Sequence, residues 1–302
     1  MKQRFTLALP EGYRLQDVMT FHRRDAESVA EEVSEQGLRK GMLLDGAAVV
    51  LSVRFGSHEA VCEADADLPG LRKFPAALAA QVREAAVNIL GLRIDPAEFS
   101  AFAKGDALLG KLVASQPGLR IVQSATVFEA LTWAIIGQQI NLPFAISLRR
   151  TFILQAGRQH SSGLWCYPEA QDAARLTAED LTSRKFSTAK AETLLRFAKL
   201  VASGELDLAP GAGNPIETIS ANLLAVKGIG PWTVNYGLLR GYGYADCSLH
   251  GDVAIRAALQ CLLGEETKPD MARTERLLQQ YHPHRTMAAA HLWASLAAPK
   301  EG

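Results

Sequence analysis

Apolar positions along this chain change their period once, near residue 113. Residues 4–9 alternate as a strand does, residues 16–37 repeat with helical spacing, and the run from Met42 to Arg54 reads as a hairpin turning at Asp45-Gly46. A turn at Phe55-Gly56-Ser57 leads into a further strand, His58 to Glu63, and helical spacing returns over 75–90 and 96–103. Beyond residue 123 strand signals almost disappear. Helices are predicted over Val127 to Ile136, Leu142 to Gln155, Ala189 to Ala202, Ile216 to Val226, Pro231 to Arg240, Val253 to Leu263, Met271 to Gln280 and Met287 to Ala297, with Gly and Pro punctuation between them. The pattern predicts an α+β fold: a small antiparallel-sheet domain over 1–112, then a mainly helical region over 113–302. No internal repeat is evident, which disfavours a solenoid.

Within the helical half, the stretch Leu224-Ala-Val-Lys-Gly-Ile-Gly-Pro-Trp-Thr-Val-Asn-Tyr236 carries the most information. Gly228 and Gly230 bracket Ile229 between two helical patterns, and Pro231 opens the second, where its missing N–H forfeits no hydrogen bond. Helices joined so tightly make a helix-hairpin-helix. The second begins with unpaired N–H groups and a positive dipole end beside small residues, which suits the approach of a phosphate to the backbone. Gly-x-Gly alone is also a common sharp turn. What strengthens the reading is the order that follows: Trp232 and Tyr236 one helical turn apart, then Asp252 at the head of the next helix, within Leu249 to Arg256. An Asp at that place is, on local sequence, an N-cap.

Composition bounds the rest. A chain of 302 residues with 48% hydrophobic content can bury two or three structural units. Thirty-two basic residues against thirty-two acidic ones is not the basic balance of many nucleic-acid-binding domains. A local basic face could still draw on Arg184, Lys185, Lys190, Arg196, Lys199, Lys227, Arg240 and Arg256, with backbone amides expected to make more of any phosphate contacts. Cys62, Cys166, Cys247 and Cys261 are too scattered for a zinc pair or an iron–sulfur cluster and read as reduced, mostly buried residues. His250 has no second histidine at ligand spacing and reads as an exposed or ligand-proximal side chain. No run of eighteen apolar residues and no apolar signal core occur, so a cytosolic chain is expected.

In these motifs the chain resembles the helix-hairpin-helix base-excision DNA glycosylases, and within them the 3-methyladenine DNA glycosylase II family. The likeness extends to Ser115-Gln-Pro-Gly-Leu-Arg120, Phe128-Glu129, Ala134-Ile-Ile-Gly-Gln-Gln-Ile140 and His291-Leu-Trp293, and to an aromatic-bearing first segment with Tyr13 and Phe21. It implies a DNA repair N-glycosylase that flips out alkylated purines of the 3-methyladenine or 7-methylguanine type and hydrolyses the N-glycosidic bond, leaving an abasic site. The helical region would form two subdomains with a cleft between them. Asp252 matches the aspartate that stabilises positive charge developing on the deoxyribose. Bifunctional members carry a nucleophilic lysine directly after the hairpin; Trp232 stands there instead, which implies no lyase activity.

The remaining roles are carried over by the same likeness. Trp232, Tyr236, Trp293 and Phe21 match an aromatic base pocket, which offers stacking and cation–π energy to a cationic alkylpurine, although Tyr236 and Phe21 read equally as core. Gln138, Gln139 and Ile140 match the loop that fills the gap left by the flipped nucleotide, with either Gln139 or Ile140 as the wedge. Val226, Lys227, Gly228, Ile229 and Gly230 would grip the DNA backbone, and the carbonyls of Val226, Gly228 and Ile229 would hold a structural Na+ or K+. No other cofactor and no catalytic metal are expected. The expected partner is double-stranded DNA containing alkylated bases, bound by a monomer in the cytoplasm, at the nucleoid when acting, without membrane association. Two alternatives stand beside this: a non-catalytic damaged-DNA-binding protein in which Asp252 is only a cap, and a glycosylase for a deaminated or oxidised base.

Overall fold

The computed structural model describes residues 1–297. Strands β1 (Lys2–Ala8), β2 (Glu31–Ser34), β3 (Gly37–Leu44), β4 (Ala47–Phe55) and β5 (Glu59–Ala66) form one antiparallel sheet in the order β1-β5-β4-β3-β2. Asp45 and Gly46 both take left-handed φ, 48° and 72°, which is the two-residue turn that matches the twist of paired strands. Helices α1 (Leu15–His22) and α2 (Ala76–Ile89) cover the sheet, and Val18, Leu78, Val82 and Ile89 share a core with Leu51, Val53 and Cys62.

The rest is mainly helical: α3 (Pro96–Phe102), α4 (Gly110–Ser115), α5 (Val127–Gly137), α6 (Leu142–Ala156), the two-residue strands β6 (Arg158–Gln159) and β7 (Trp165–Cys166), then α7 (Ala170–Ala173), α8 (Ala178–Thr182), α9 (Thr188–Ser203), α10 (Ile216–Ala225), α11 (Pro231–Gly237), α12 (Val253–Leu263), α13 (Met271–Gln279) and α14 (Arg285–Ala297). Helix α11 runs on into a wider π turn, Leu238–Tyr242. A second, larger core joins Phe99 and Leu109 to Leu131, Phe152, Leu194, Leu239, Leu259 and Leu292.

One expectation fails here. Helical spacing over 16–37 survives only as α1, and residues 31–34 pair with β3 instead, Glu31 lying opposite Lys40. The reason is a buried ion cluster. Lys40 Nζ donates to Glu31 (2.5 Å) and to Glu129 of α5 (2.8 Å), and Arg149 of α6 donates to Glu129 (2.8 Å). Burial disfavours the charged Glu31, but Arg149 and Lys40 outweigh it and hold its carboxyl well below the usual range. Charges so deeply buried are costly unless paired, so the cluster fixes the sheet against α5 and α6, the helices that flank the site loop.

Candidate active site

The hairpin forms as its glycines dictate. Val226 and Ile229 bury their side chains in the helical core, and the Ile229 N–H closes the turn on the Val226 carbonyl at 3.0 Å. Gly228 has φ +96°, and a Cβ there would lie 2.1 Å from Thr193 Oγ1 of α9. Gly230 differs. Its φ is −108°, it is the N-cap of α11, and a Cβ on it would meet nothing within 4 Å. Pro231 takes the first helical position, and Lys227 is exposed, its carbonyl accepting from Arg196 at 3.1 Å.

Opposite the hairpin, the loop after α5 is held from below. Lys190 Nζ, buried, donates to the carbonyls of Ile135 and Gln138 at 3.0 Å each and so satisfies open carbonyls at the helix end. Gln138 is not free to leave the protein, because its amide donates to Gly228 O (3.0 Å) and Thr233 Oγ1 (2.9 Å). Ile140 packs against the helical core. Gln139 alone of the three is exposed, at φ +57°, a left-handed conformation that costs a non-glycine residue roughly 1 kcal/mol or more. The tip therefore spends conformational energy to project that side chain.

Between loop and hairpin lies an open cleft of about 780 Å³, bordered by Gln138, Gln139, Ile140, Gly228, Gly230, Trp232, Asp252 and Val253. Among the described residues no lysine borders it. Asp252 caps α12 through Oδ1, which accepts from the N–H of Ala254 (2.9 Å) and Ile255 (3.0 Å). Trp293 Nε1 reaches the same oxygen at 3.2 Å, and Trp232 Nε1 donates to Oδ2 at 2.8 Å. The cap reading and the cleft position thus hold together in one side chain. Oδ1 is saturated, whereas Oδ2 has one donor and keeps acceptor capacity.

Behind the carboxylate stands a ring cluster. Tyr236 lies 5.2 Å from Trp232 and 6.1 Å from Trp293 between centroids, and its hydroxyl accepts from Trp133 Nε1 at 2.9 Å. Phe21, carried on α1, joins it through two arginines. Arg24 Cζ sits 3.7 Å from the Phe21 centroid and 5.4 Å from that of Trp133, and Arg240 Cζ sits 5.0, 5.9 and 5.4 Å from Phe21, Tyr236 and Trp293. The four aromatic residues expected in the base pocket are thus brought together, while Tyr13 bonds the Leu90 carbonyl instead, and Tyr236 is also buried as a core residue would be. Trp133 and Arg24 went unnoticed there, and Arg240 was expected on a basic face instead of among rings. Local periodicity gives no sign of them, since Trp133 reads as core and the arginines as surface charge.

The basic face expected from the sequence is only partly present. Lys190 is a buried capping residue and Arg240 lies among the rings, while Arg256 is tied to the Pro269 carbonyl at 2.7 Å. Each is drawn inward by carbonyl oxygens or ring faces. Cys62, Cys166 and Cys247 are buried and Cys261 is exposed. Among the described residues no helix is long and apolar enough to cross a membrane.

Residues 132–284, the span from α5 to the start of α14 that holds loop, hairpin and Asp252, match the profile of the HhH-GPD superfamily base excision DNA repair proteins. The chain belongs to this superfamily. It is 32% identical over 205 residues to the DNA-3-methyladenine glycosylase of Bacillus subtilis (strain 168), a match covering 67% of this chain and 68% of that protein. It is 29% identical over 190 residues to DNA-3-methyladenine glycosylase 2 of Escherichia coli (strain K12), covering 61% and 63%. The matches thus span about two thirds of these relatives. The structure of a 3-methyladenine DNA glycosylase from Archaeoglobus fulgidus superposes with a TM-score of 0.79 at 22% identity, over 96% of this chain and 97% of that one, so the sheet domain is shared as well as the helical region.

Proposed function

We propose that this member of the superfamily is a monofunctional DNA N-glycosylase that excises alkylated purines from double-stranded DNA and leaves an abasic site. The observation that carries the reading is Asp252, a carboxylate that borders the cleft and is fixed by two backbone amides and two indoles, with one oxygen that has a single donor. Scission of C1′–N9 leaves positive charge on the sugar. A carboxylate already oriented and partly shielded from water stabilises that charge without reorganising. The spare acceptor capacity of Oδ2 also suits the carboxylate to orient the attacking water. The superfamily membership and the two named 3-methyladenine glycosylases support the same reaction class.

Water is the nucleophile because, among the described residues, none that borders the cleft carries an amine. Trp232 occupies the position after the hairpin, Lys227 points to solvent from before it, and Lys190 is engaged by two carbonyls. Gln139 is the wedge, being the loop residue that is both exposed and held in a strained conformation, while Gln138 straps the loop to the hairpin. The open N–H groups of Trp232 and Thr233 at the start of α11 face the DNA backbone as phosphate donors. A monovalent cation is compatible with the hairpin carbonyls: Val226 O and Gly228 O each accept one hydrogen bond and keep a second lone pair. The test is release of free base from methylated duplex DNA with the strands left intact, together with borohydride treatment of the reaction. Free base without a covalent adduct is the expected result; efficient trapping would show that an amine attacks the sugar.

A further inference from the structure

The ring cluster behind Asp252 is more positively charged than a pocket for cationic bases should be. Arg24 and Arg240 both lie against it, and among the described residues neither forms an ion pair. Their hydrogen bonds are also few. Arg24 donates from Nε to the Phe21 carbonyl at 2.8 Å, and Arg240 donates from Nη1 to the Val122 carbonyl. Arg240 Nε is buried with no acceptor at all. Burial among the rings pushes the Arg24 guanidinium down to about 10, so it remains charged at neutral pH.

Their placement is built into the fold. Arg240 sits in the π turn that follows α11, where its own carbonyl accepts from Ser124 N–H at 2.9 Å while its side chain turns toward Trp293 and Phe21. Trp232 joins this cluster to the cleft, since it borders the cleft and lies 5.2 Å from Tyr236. A base drawn past Asp252 would therefore meet rings that already have guanidinium groups on them.

Resting on the glycosylase reading above, we propose that Arg24 and Arg240 are specificity-determining residues that favour neutral purine lesions over cationic N-alkylpurines. The charge flow at the reacting bond explains why. As water adds to C1′ and C1′–N9 breaks, the bonding electron pair passes to the purine and the water proton passes to solvent. A 7-methylguanine, cationic in DNA, leaves as a neutral base, so two nearby cations repel it as it docks and relief of that repulsion only restores what docking cost; the penalty is felt from free duplex to transition state. A neutral lesion such as hypoxanthine, or a cyclic etheno adduct of adenine, takes the electron pair as negative charge. Unpaired guanidinium N–H groups can accept that charge through hydrogen bonds to ring nitrogen or carbonyl oxygen, an interaction that strengthens in the transition state.

The experiment compares the second-order rate constants, from single-turnover reactions at subsaturating enzyme, for release of hypoxanthine and of 7-methylguanine from otherwise identical duplexes by wild type, Arg24→Gln, Arg240→Gln and the charge-preserving Arg24→Lys. The hypoxanthine to 7-methylguanine rate ratio is expected to fall about tenfold or more in each Gln variant and to stay within about threefold of wild type in Arg24→Lys. A merely structural role would slow both substrates together and leave the ratio unmoved. Arg24, whose side chain bonds only to a carbonyl three residues away, carries the comparison alone if Arg240→Gln does not fold. An unchanged ratio in Arg24→Gln, or a shift toward hypoxanthine, overturns the specificity assignment while leaving the glycosylase reading intact. Release of neither base by wild type overturns both.

Discussion

Replacing Gly228 by Ala should unpick the hairpin, while the same change two residues on at Gly230 should not. At Gly228 the methyl group enters a left-handed backbone, φ +96°, which costs an L-residue roughly 1–2 kcal/mol. It also falls 2.1 Å from Thr193 Oγ1, 2.8 Å from Cγ2 and 3.0 Å from Cβ, so no rotation of Thr193 clears it. Thr193 Oγ1 is itself committed to the Ala189 carbonyl at 2.8 Å, and losing that bond adds about 1 kcal/mol. The sum, roughly 2–3 kcal/mol, corresponds to a fall in Tm of roughly 3–5 °C for a chain of this size. Gly230→Ala, with φ −108° and open space around the new Cβ, should stay within about 0.5 kcal/mol of wild type. Because Gly230 borders the cleft, its methyl should weaken binding to every duplex alike. Thermal unfolding and affinity for a duplex with a non-cleavable abasic analogue, measured on both variants and on Gly228→Ala with Thr193→Ala, separate the effects. The double variant should recover about 1 kcal/mol relative to additivity. Wild-type stability in Gly228→Ala would refute the reasoning.

Two further outcomes follow from the same geometry. Trp232→Phe keeps a ring but removes the 2.8 Å donor to Asp252 Oδ2, and single-turnover base release should slow roughly tenfold, with Trp293→Phe milder because Oδ1 retains two backbone donors; the reverse order would count against the proposed role of Oδ2. Burial, with Arg14 nearby, pushes the His291 imidazole down from 6.5 to about 4, and its Nδ1 bonds Gln116 at 2.8 Å. The unfolded chain therefore takes up a proton between about 6.5 and 4 that the folded chain refuses, so this stability is complete above pH 6.5 and falls by about 2 kcal/mol at pH 5. Urea unfolding at pH 7 and pH 5 should show that loss in wild type and little of it in His291→Gln.

Where the sequence could be read, the signal was local. Asp45-Gly46 demands a two-residue turn, Asp252 and Gly264 delimit α12, and Gly228 with Pro231 marks the hairpin, each through backbone chemistry that needs no distant partner. What escaped was decided at long range. Strand β2 exists because Glu31, opposite Lys40 on the next strand, also meets Arg149 and, through Lys40, Glu129, both far along the chain. The indoles that fix Asp252 come from 20 and 41 residues away, and Arg24 reaches Trp133 across more than a hundred. Periodicity reports which face is buried, not which donors converge on one oxygen. That is why the rings were foreseen, but not their arginines or their hydrogen bonds to the carboxylate.

The most direct test of the account is single-turnover release of 7-methylguanine by Asp252→Asn. Asparagine keeps an oxygen for the Ala254 and Ile255 amides but turns an NH₂ group toward the Trp232 indole N–H, so folding is checked by thermal unfolding and binding by affinity for the abasic-analogue duplex. The account predicts a folded protein that binds this duplex within about threefold of wild type and releases base about a hundredfold more slowly, or slower still. A folded Asp252→Asn variant releasing base within about threefold of the wild-type rate would contradict it.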